Sequence, residues 1–288
     1  MPLDDSQAGA MLAAIRAVSR EVILPRFRAL DPGQVDAKAA FDDLVTVADR
    51  EAEAALTARF EAILPGDAVI GEEAISEGRA SLDAVGRGRC VVIDPIDGTW
   101  NFAHGLATYG VIVAVIEDGA TAWGCLYDPS FDDAVVAARG GGCHFLRGGT
   151  SRRLRTAQEA APLDRMRGNL GEYLFPGAHR PGLASLVPRV RRHATLGASL
   201  QEYRLMCLGG SDFVLNAGLN VWDHAAGVLC LEEAGGVSRM LDGRPYAPAM
   251  RTEPGPAGAR MLNARCEAVW EALAPEMATA LAARDAGA

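Results

Sequence analysis

The segment Cys90-Val91-Val92-Ile93-Asp94-Pro95-Ile96-Asp97-Gly98-Thr99 decides how the rest of the chain is read. Its β-branched run predicts a short buried strand, and that run ends abruptly in acid. A buried strand rarely finishes in two carboxylates unless something cationic neutralises them. Pro95 fixes its own φ and Gly98 allows a tight reversal, so Asp94 and Asp97 can turn toward one point. Two hard oxygen donors beside a Gly-Thr turn suit both a divalent cation and a phosphate. Asp-Pro and Asp-Gly are equally ordinary turn chemistry on a surface loop, so this stretch alone leaves both readings open.

Composition narrows the classes. A chain of 288 residues can bury one large core or two coupled ones. Its net charge of −9 argues against a non-specific nucleic-acid binder but leaves phosphorylated substrates open, because bound cations supply positive charge. No apolar run approaches roughly 18 residues, so no membrane-spanning helix is expected. The start, Met1-Pro2-Leu3-Asp4-Asp5, lacks the basic and apolar regions of a secretory signal, which points to the cytoplasm. The six cysteines form no Cys-x-x-Cys pair and read as small buried hydrophobes in a reducing compartment. The five histidines form no spaced ligand pair.

Outward from the opening strand, acid recurs at the ends of apolar elements. Residues 11–27 predict an amphipathic helix stopped near Pro25, followed by a polar loop that carries Lys38. Thr46 is an N-cap candidate for a second helix that Pro65 ends. At about 100° per residue, Asp49 shares the apolar face of that helix with Leu56 and Phe60. There it either favours the helix dipole, worth about 0.3–1 kcal/mol, or points into a site. The strand at residues 68–71 runs into Glu72-Glu73. Residues 109–116, 121–126 and 133–138 predict three strands joined by short turns, an antiparallel meander. The glycine breakers near 140–142 and 147–149 precede a polar stretch at 150–164 that reads as a connection. This divides the chain into an N-terminal α+β domain, 1–149, and a C-terminal α/β domain, 150–288.

The second half predicts strands at 165–170, 212–216, 237–241 and 261–264. Helices are expected at 200–208, at 224–234 after Asn220-Val221-Trp222-Asp223, and at 267–282. Residues 248–258 read as a loop and 284–288 as a fraying end. Asp223 is either a helix cap or a fourth acid of the constellation formed with Glu72, Asp94 and Asp97. So many carboxylates in one place would repel one another and raise each other's pKa unless Mg²⁺ ions intervened. No phosphate-loop, dinucleotide or nucleophile-elbow motif offers a competing chemistry.

Gly71-Glu72-Glu73, Asp94-Pro95-Ile96-Asp97-Gly98-Thr99 and Trp222-Asp223-His224-Ala225-Ala226-Gly227 resemble the signature motifs of the inositol monophosphatase family. Asp43-Leu44-Val45-Thr46-Val47-Ala48-Asp49 resembles that family's first acidic motif. All occur in the family's order. The resemblance implies a layered αβαβα sandwich of the inositol monophosphatase and fructose-1,6-bisphosphatase type, usually homodimeric, hydrolysing small phosphate monoesters with two or three Mg²⁺ ions and sensitive to Li⁺. It implies metal ligation by Glu72, Asp94, the Ile96 carbonyl, Asp97 and Asp223. Thr99 and Asp49 would orient and deprotonate the attacking water, with Glu72 assisting, and the Gly98 and Thr99 N–H groups would hold phosphate.

Departures from the pattern bear on the substrate. Asn216 stands where inositol-hydrolysing members usually carry an acid for the ring hydroxyls, and Trp100 stands where a small hydroxyl residue is usual. Gly197-Ala198-Ser199 matches the family's sugar-facing segment only loosely. The expected activity is hydrolysis of a small polyol or sugar monophosphate, inositol monophosphate first. Histidinol phosphate and an adenosine 3′,5′-bisphosphate are the alternative substrates, and a non-catalytic regulatory protein on the same fold is the alternative of another class.

Overall fold

The fold is taken from a computed structural model, which describes residues 3–38, 44–159, 161–250 and 259–282. Asp43, residues 251–258 of the expected loop and the tail at 284–288 lie outside the described residues. The first helix, α1 (Asp5–Val18), starts earlier than its apolar repeat because Asp4 and Gln7 close a capping box. It continues as a π turn, Ser19–Ile23, and a 3₁₀ turn, Leu24–Arg26, that admits Pro25. Strands β1 (Val35–Ala37) and β2 (Leu44–Thr46) pair antiparallel. Thr46 then caps α2 (Val47–Ile63), which ends at Leu64, before Pro65.

Strand β3 (Ala68–Gly71) leads directly into the short helix α3 (Glu72–Ser76) and lies parallel to β4 (Arg89–Asp97). Asp94 does not end β4; Asp97 does. The strand's pairing continues past Asp94, opposite Ile112, to Asp97, opposite Gly110, with a register irregularity between them. That irregularity re-aims the strand's last side chains. Helix α4 (Thr99–Ala103) follows, and then the expected meander of β5 (Gly110–Glu117), β6 (Ala120–Asp128) and β7 (Asp133–Ala138).

Two more strands, β8 (Gly142–Arg147) and β9 (Thr150–Leu154), extend the sheet where the sequence reads as breakers and connection. The glycines there make hairpin turns. Strand β9 is an edge strand whose side chains are exposed except for Leu154, so it lacks the apolar alternation by which strands are recognised. The seven-stranded sheet has the order β3-β4-β5-β6-β7-β8-β9.

The second sheet is built from β10 (Arg167–Asn169), β11 (Arg192–His193), β12 (Phe213–Ala217), β13 (Val237–Met240) and β14 (Arg260–Ala264), in the order β11-β10-β12-β14-β13. Its helices are α5 (Arg180–Ala184), α6 (Ser199–Cys207), α7 (Val221–Glu233) and α8 (Glu267–Ala282). Alternation along β4 sets the layering. Val91 and Ile93 pack with Met11, Ile15, Leu56 and Phe60 of α1 and α2. Cys90 and Val92 face the other way, into a cluster with Leu200, Met206, Ala226 and Cys230 of α6 and α7. That cluster also takes in Val214, Met240 and Met261 from the second sheet, whose far face packs with Leu183 of α5 and with Val269, Leu273 and Met277 of α8. The result is the expected αβαβα sandwich. Helices α6 and α7 form its middle layer.

Candidate active site

The site forms where the C-terminal end of β4 meets the N-termini of α6 and α7. Asp94, Asp97 and Asp223 each offer an oxygen to a group whose members lie within 4.8 Å of one another. Asp94 and Asp97 are buried and Asp223 is partly so. Their hydrogen bonds come from neutral donors. The Ile96 N–H donates to Asp94 at 3.1 Å, and the Asn220 amide donates to Asp223 at 3.0 Å. The Ser199 and Leu200 N–H groups donate to the two oxygens of Asp97 at 3.1 and 2.6 Å. These last two bonds fasten the first sheet to the first turn of α6.

Burial, with Glu72, Asp97 and Asp223 adding repulsion, holds Asp94 well above the usual carboxylate range. Burial likewise raises Asp223, with Glu72 and Asp97 contributing, and pushes Asp97 up to about 7 against the pull of its two backbone donors. Three mutually repelling carboxylates with neutral partners form an oxygen-only donor set, which fits a hard divalent cation.

Glu72 sits beside this group but outside it. Its carboxylate accepts from Lys38 Nζ at 2.8 Å, and the same ammonium donates to Glu73 at 2.7 Å. Burial opposes the charge on Lys38, but Glu72 and Glu73 outweigh it and strengthen the ammonium's hold on its proton. Nothing in the polar loop singled out Lys38 for this position. The partner for two adjacent acids had to come from another segment, and sequence spacing does not reveal which. Glu53 of α2 fixes α3 by accepting from the Glu73 and Ala74 N–H groups at 2.7 and 2.9 Å. Gly71 is required there, since a Cβ would lie 2.1 Å from the Glu53 carboxyl carbon.

Asp49 faces inward, as its helical position predicts. One oxygen accepts from the Thr46 N–H at 2.8 Å and the Thr46 hydroxyl at 2.5 Å; the other lies 3.1 Å from Thr99 Oγ1. Thr99 Oγ1 is also 2.9 Å from the Ile96 carbonyl, so the hydroxyl links the base candidate to the metal-site backbone. Burial raises Asp49 to about 6, against these hydrogen bonds. Gly98 has φ +83, and a Cβ there would meet Ala198 Cβ and the Thr108 carbonyl at 2.9 Å. Only glycine allows this close approach.

A cavity of about 320 Å³ opens over the cluster, lined by Glu72, Asp97, Thr99, Trp100, Ser199 and Asn216 among others. Trp100 is 46 % exposed and stacks on His104 with ring centroids 4.1 Å apart. Ala198 also lines the cavity, and Asn101 anchors its loop by donating to the Leu196 and Gly197 carbonyls at 2.8 and 3.2 Å. Asn216 is buried, with its Oδ1 accepting from Asn263 at 2.7 Å. Glu202 and Tyr173 line the same cavity and have no counterpart among the residues expected from sequence.

The inositol monophosphatase family model matches residues 5–274. The chain belongs to the inositol monophosphatase family. It is similar to the fructose-1,6-bisphosphatase/inositol-1-monophosphatase of Thermotoga maritima, at 31% identity over 212 residues, covering 73% of this chain and 76% of that one. It is 32% identical to the inositol-1-monophosphatase of Mesorhizobium japonicum over 207 residues, 70% and 73% of the two chains. Among solved structures, an inositol monophosphatase from Zymomonas mobilis aligns with TM-score 0.74 and 26% identity over 96% of this chain and 100% of that chain. The Thermotoga maritima IMPase aligns with TM-score 0.80 at 24% identity, over 96% and 98%. As a member of this family the chain is a phosphoric monoester hydrolase. No helix among the described residues is long and apolar enough to cross a membrane.

Proposed function

We propose that this phosphatase hydrolyses a small polyol or sugar monophosphate, with inositol monophosphate the first candidate, using Mg²⁺ and water. The observation that carries the reading is the convergence of Asp94, Asp97 and Asp223 within 4.8 Å of one another, with Asp97 and Asp223 lining the cavity. These three, with the Ile96 carbonyl and Glu72, would hold two or three Mg²⁺ ions. Bound there, the ions would polarise a phosphate ester and make water nucleophilic near neutral pH.

The protein's own part is positioning and proton transfer. Asp49 and the Thr99 hydroxyl, 3.1 Å apart, form a pair that can orient water and take its proton. A carboxyl raised to about 6 is ionised at neutral pH and is a better proton acceptor than an ordinary aspartate. The Gly98 and Thr99 N–H groups would receive the phosphate oxygens, and the tight packing at Gly98 keeps that turn in place.

The test is Asp94→Asn in a Mg²⁺-dependent phosphatase assay. Loss of hydrolysis is expected, and retained hydrolysis removes the metal mechanism. The exposed Trp100 at the cavity favours, as a second reading, an aromatic leaving group such as histidinol phosphate or an adenosine 3′,5′-bisphosphate. Faster turnover of either than of inositol and sugar monophosphates would establish it. Absence of hydrolysis across the whole panel would support a binding role instead. A homodimer and inhibition by Li⁺ belong to the same proposal, and light scattering and a Li⁺ titration test them.

A further inference from the structure

Glu202 is a carboxylate of the cavity that stands apart from the expected metal set. It projects from α6, is buried, and lines the cavity together with Asn216. Of the other acids of that lining, Asp97 and Asp223 belong to the cluster and Glu72 sits beside it. Glu202 follows Ser199 by three positions, so both lie on one face of the helix. The Ser199 N–H holds Asp97, and Glu202 therefore stands a little under one helical turn, roughly 4.5 Å, along from that anchor. That is the scale of a polyol reaching out from a phosphate held at the cluster.

The carboxylate is held in place by amides. Asn169 Nδ2 donates to Glu202 Oε1 at 2.5 Å, and Asn169 is itself fixed by the Gly171 N–H and the Thr195 hydroxyl at its Oδ1. The Leu196 N–H and the Asn216 side chain also donate toward Glu202. Asn263 donates to the Asn216 carbonyl at 2.7 Å, which orients the Asn216 amide nitrogen toward Glu202. The amides of Asn216 and Asn169 thus point their hydrogens toward one carboxylate, and Asn263 holds Asn216 in place. A carboxylate has about four lone-pair sites and an amide nitrogen two hydrogens, so acceptor and donor capacity remain at the cavity. A hydroxyl is the group that uses both, donating to the carboxylate and accepting from the amide.

We propose that Glu202 is the specificity-determining residue for the leaving group, accepting a hydrogen bond from a polyol hydroxyl while Asn216 donates to the same polyol. This rests on the phosphatase reading above and deepens it. The acid absent at position 216 is supplied from the neighbouring helix, and the leaving group it selects is one with hydroxyls close to the ester.

The experiment compares wild type with Glu202→Gln, which preserves the volume and can still accept from Asn169. Two readouts are used with Mg²⁺ present: kcat/KM for inositol 1-phosphate relative to p-nitrophenyl phosphate, whose leaving group carries no additional hydroxyl, and calorimetric binding of myo-inositol in the presence of inorganic phosphate. Loss of a hydrogen bond to a charged group predicts a fall of at least about tenfold in the kcat/KM ratio and a comparable weakening of myo-inositol binding. The fall in kcat/KM should appear mainly in KM, and Glu202→Asp should recover part of it. A ratio and a binding constant both within about twofold of wild type overturn the proposal, as does a wild type that does not bind myo-inositol. Parallel losses on both phosphates with a lowered melting temperature would make Glu202 structural and also overturn it. Failure of the phosphatase reading shows separately, as a wild type that hydrolyses neither phosphate.

Discussion

Replacing Asp94 by Asn should make the metal-free protein more stable while removing its response to Mg²⁺. The Asp94, Asp97 and Asp223 oxygens lie within 4.8 Å of one another, and two unit charges at that distance repel by about 3.5 kcal/mol at an effective dielectric constant near 20. Asp94 takes part in two such pairs. The cluster relieves part of this repulsion by retaining protons, as the raised Asp94 carboxyl implies, so the net gain from Asn is smaller, on the order of 1–3 kcal/mol. Asn keeps a carbonyl oxygen to accept from the Ile96 N–H, so the local turn is preserved. At roughly 2–4 °C per kcal/mol for a chain of this size, the variant should melt about 2–12 °C above wild type in chelator. Mg²⁺ at about one hundred times its Kd should stabilise wild type by about 2.7 kcal/mol and leave the variant nearly unmoved. Thermal melts with EDTA and with Mg²⁺ give all four values. A variant that melts lower than wild type in EDTA, or that keeps the full Mg²⁺ shift, would refute the cluster as a repulsive, metal-filled site.

Three further outcomes are expected. Asp49→Asn should lower kcat by about 10²–10⁴ while keeping the Mg²⁺-induced melting shift; simultaneous loss of both would make Asp49 a metal-site residue and not the base. The metal-free protein should lose stability as pH rises. Asp49 is raised to about 6, and Asp97 and Glu73 to about 7, above unfolded values near 4. Raised folded values mean a stabilisation that is complete below about pH 4 and lost as pH climbs through about 7. Urea midpoints measured in EDTA at pH 5 and pH 8 check this, and an equal or higher midpoint at pH 8 contradicts it. Arg204→Ala should destabilise by about 3–5 kcal/mol, because it strands the buried Asp133 carboxylate and removes a donor 3.0 Å from the Leu126 carbonyl. Chemical denaturation measures it, and a loss under about 1 kcal/mol would mean that water reaches the pair.

The parts of the fold legible in the sequence were those with strong local signals. Thr46 caps α2 and Asp49 shares the buried face with Leu56 and Phe60, because both follow from helical geometry. Strand β9 was missed because an edge strand with exposed polar side chains carries no alternation. The short helix α5 has only Leu183 as a buried apolar residue, too few for a periodic pattern. At the site, acids at element ends were readable one by one. Lys38, Glu202, Asn169 and Asn263 were not, because their partners are far away in the chain and only the packing of the layers brings them together. Asn216 shows the limit well: its identity marks a departure, but the Asn263 and Glu202 contacts that give it an orientation lie in other elements.

The middle layer of helices has a consequence for how the chain is made. One face of the seven-stranded sheet, with Cys90, Val92, Ile112, Ala114 and Leu126, is covered by α6 and α7, which leave the ribosome long after the sheet itself. Gly124 is matched so closely to α7 that a Cβ there would lie 2.9 Å from the Ala226 backbone. During synthesis that apolar face waits without its cover, and the acids of β4 wait without the helix that brings Asp223. A nascent chain halted before α7 should therefore be sticky and unable to assemble the full acid cluster. Metal capture would then have to follow the arrival of α7.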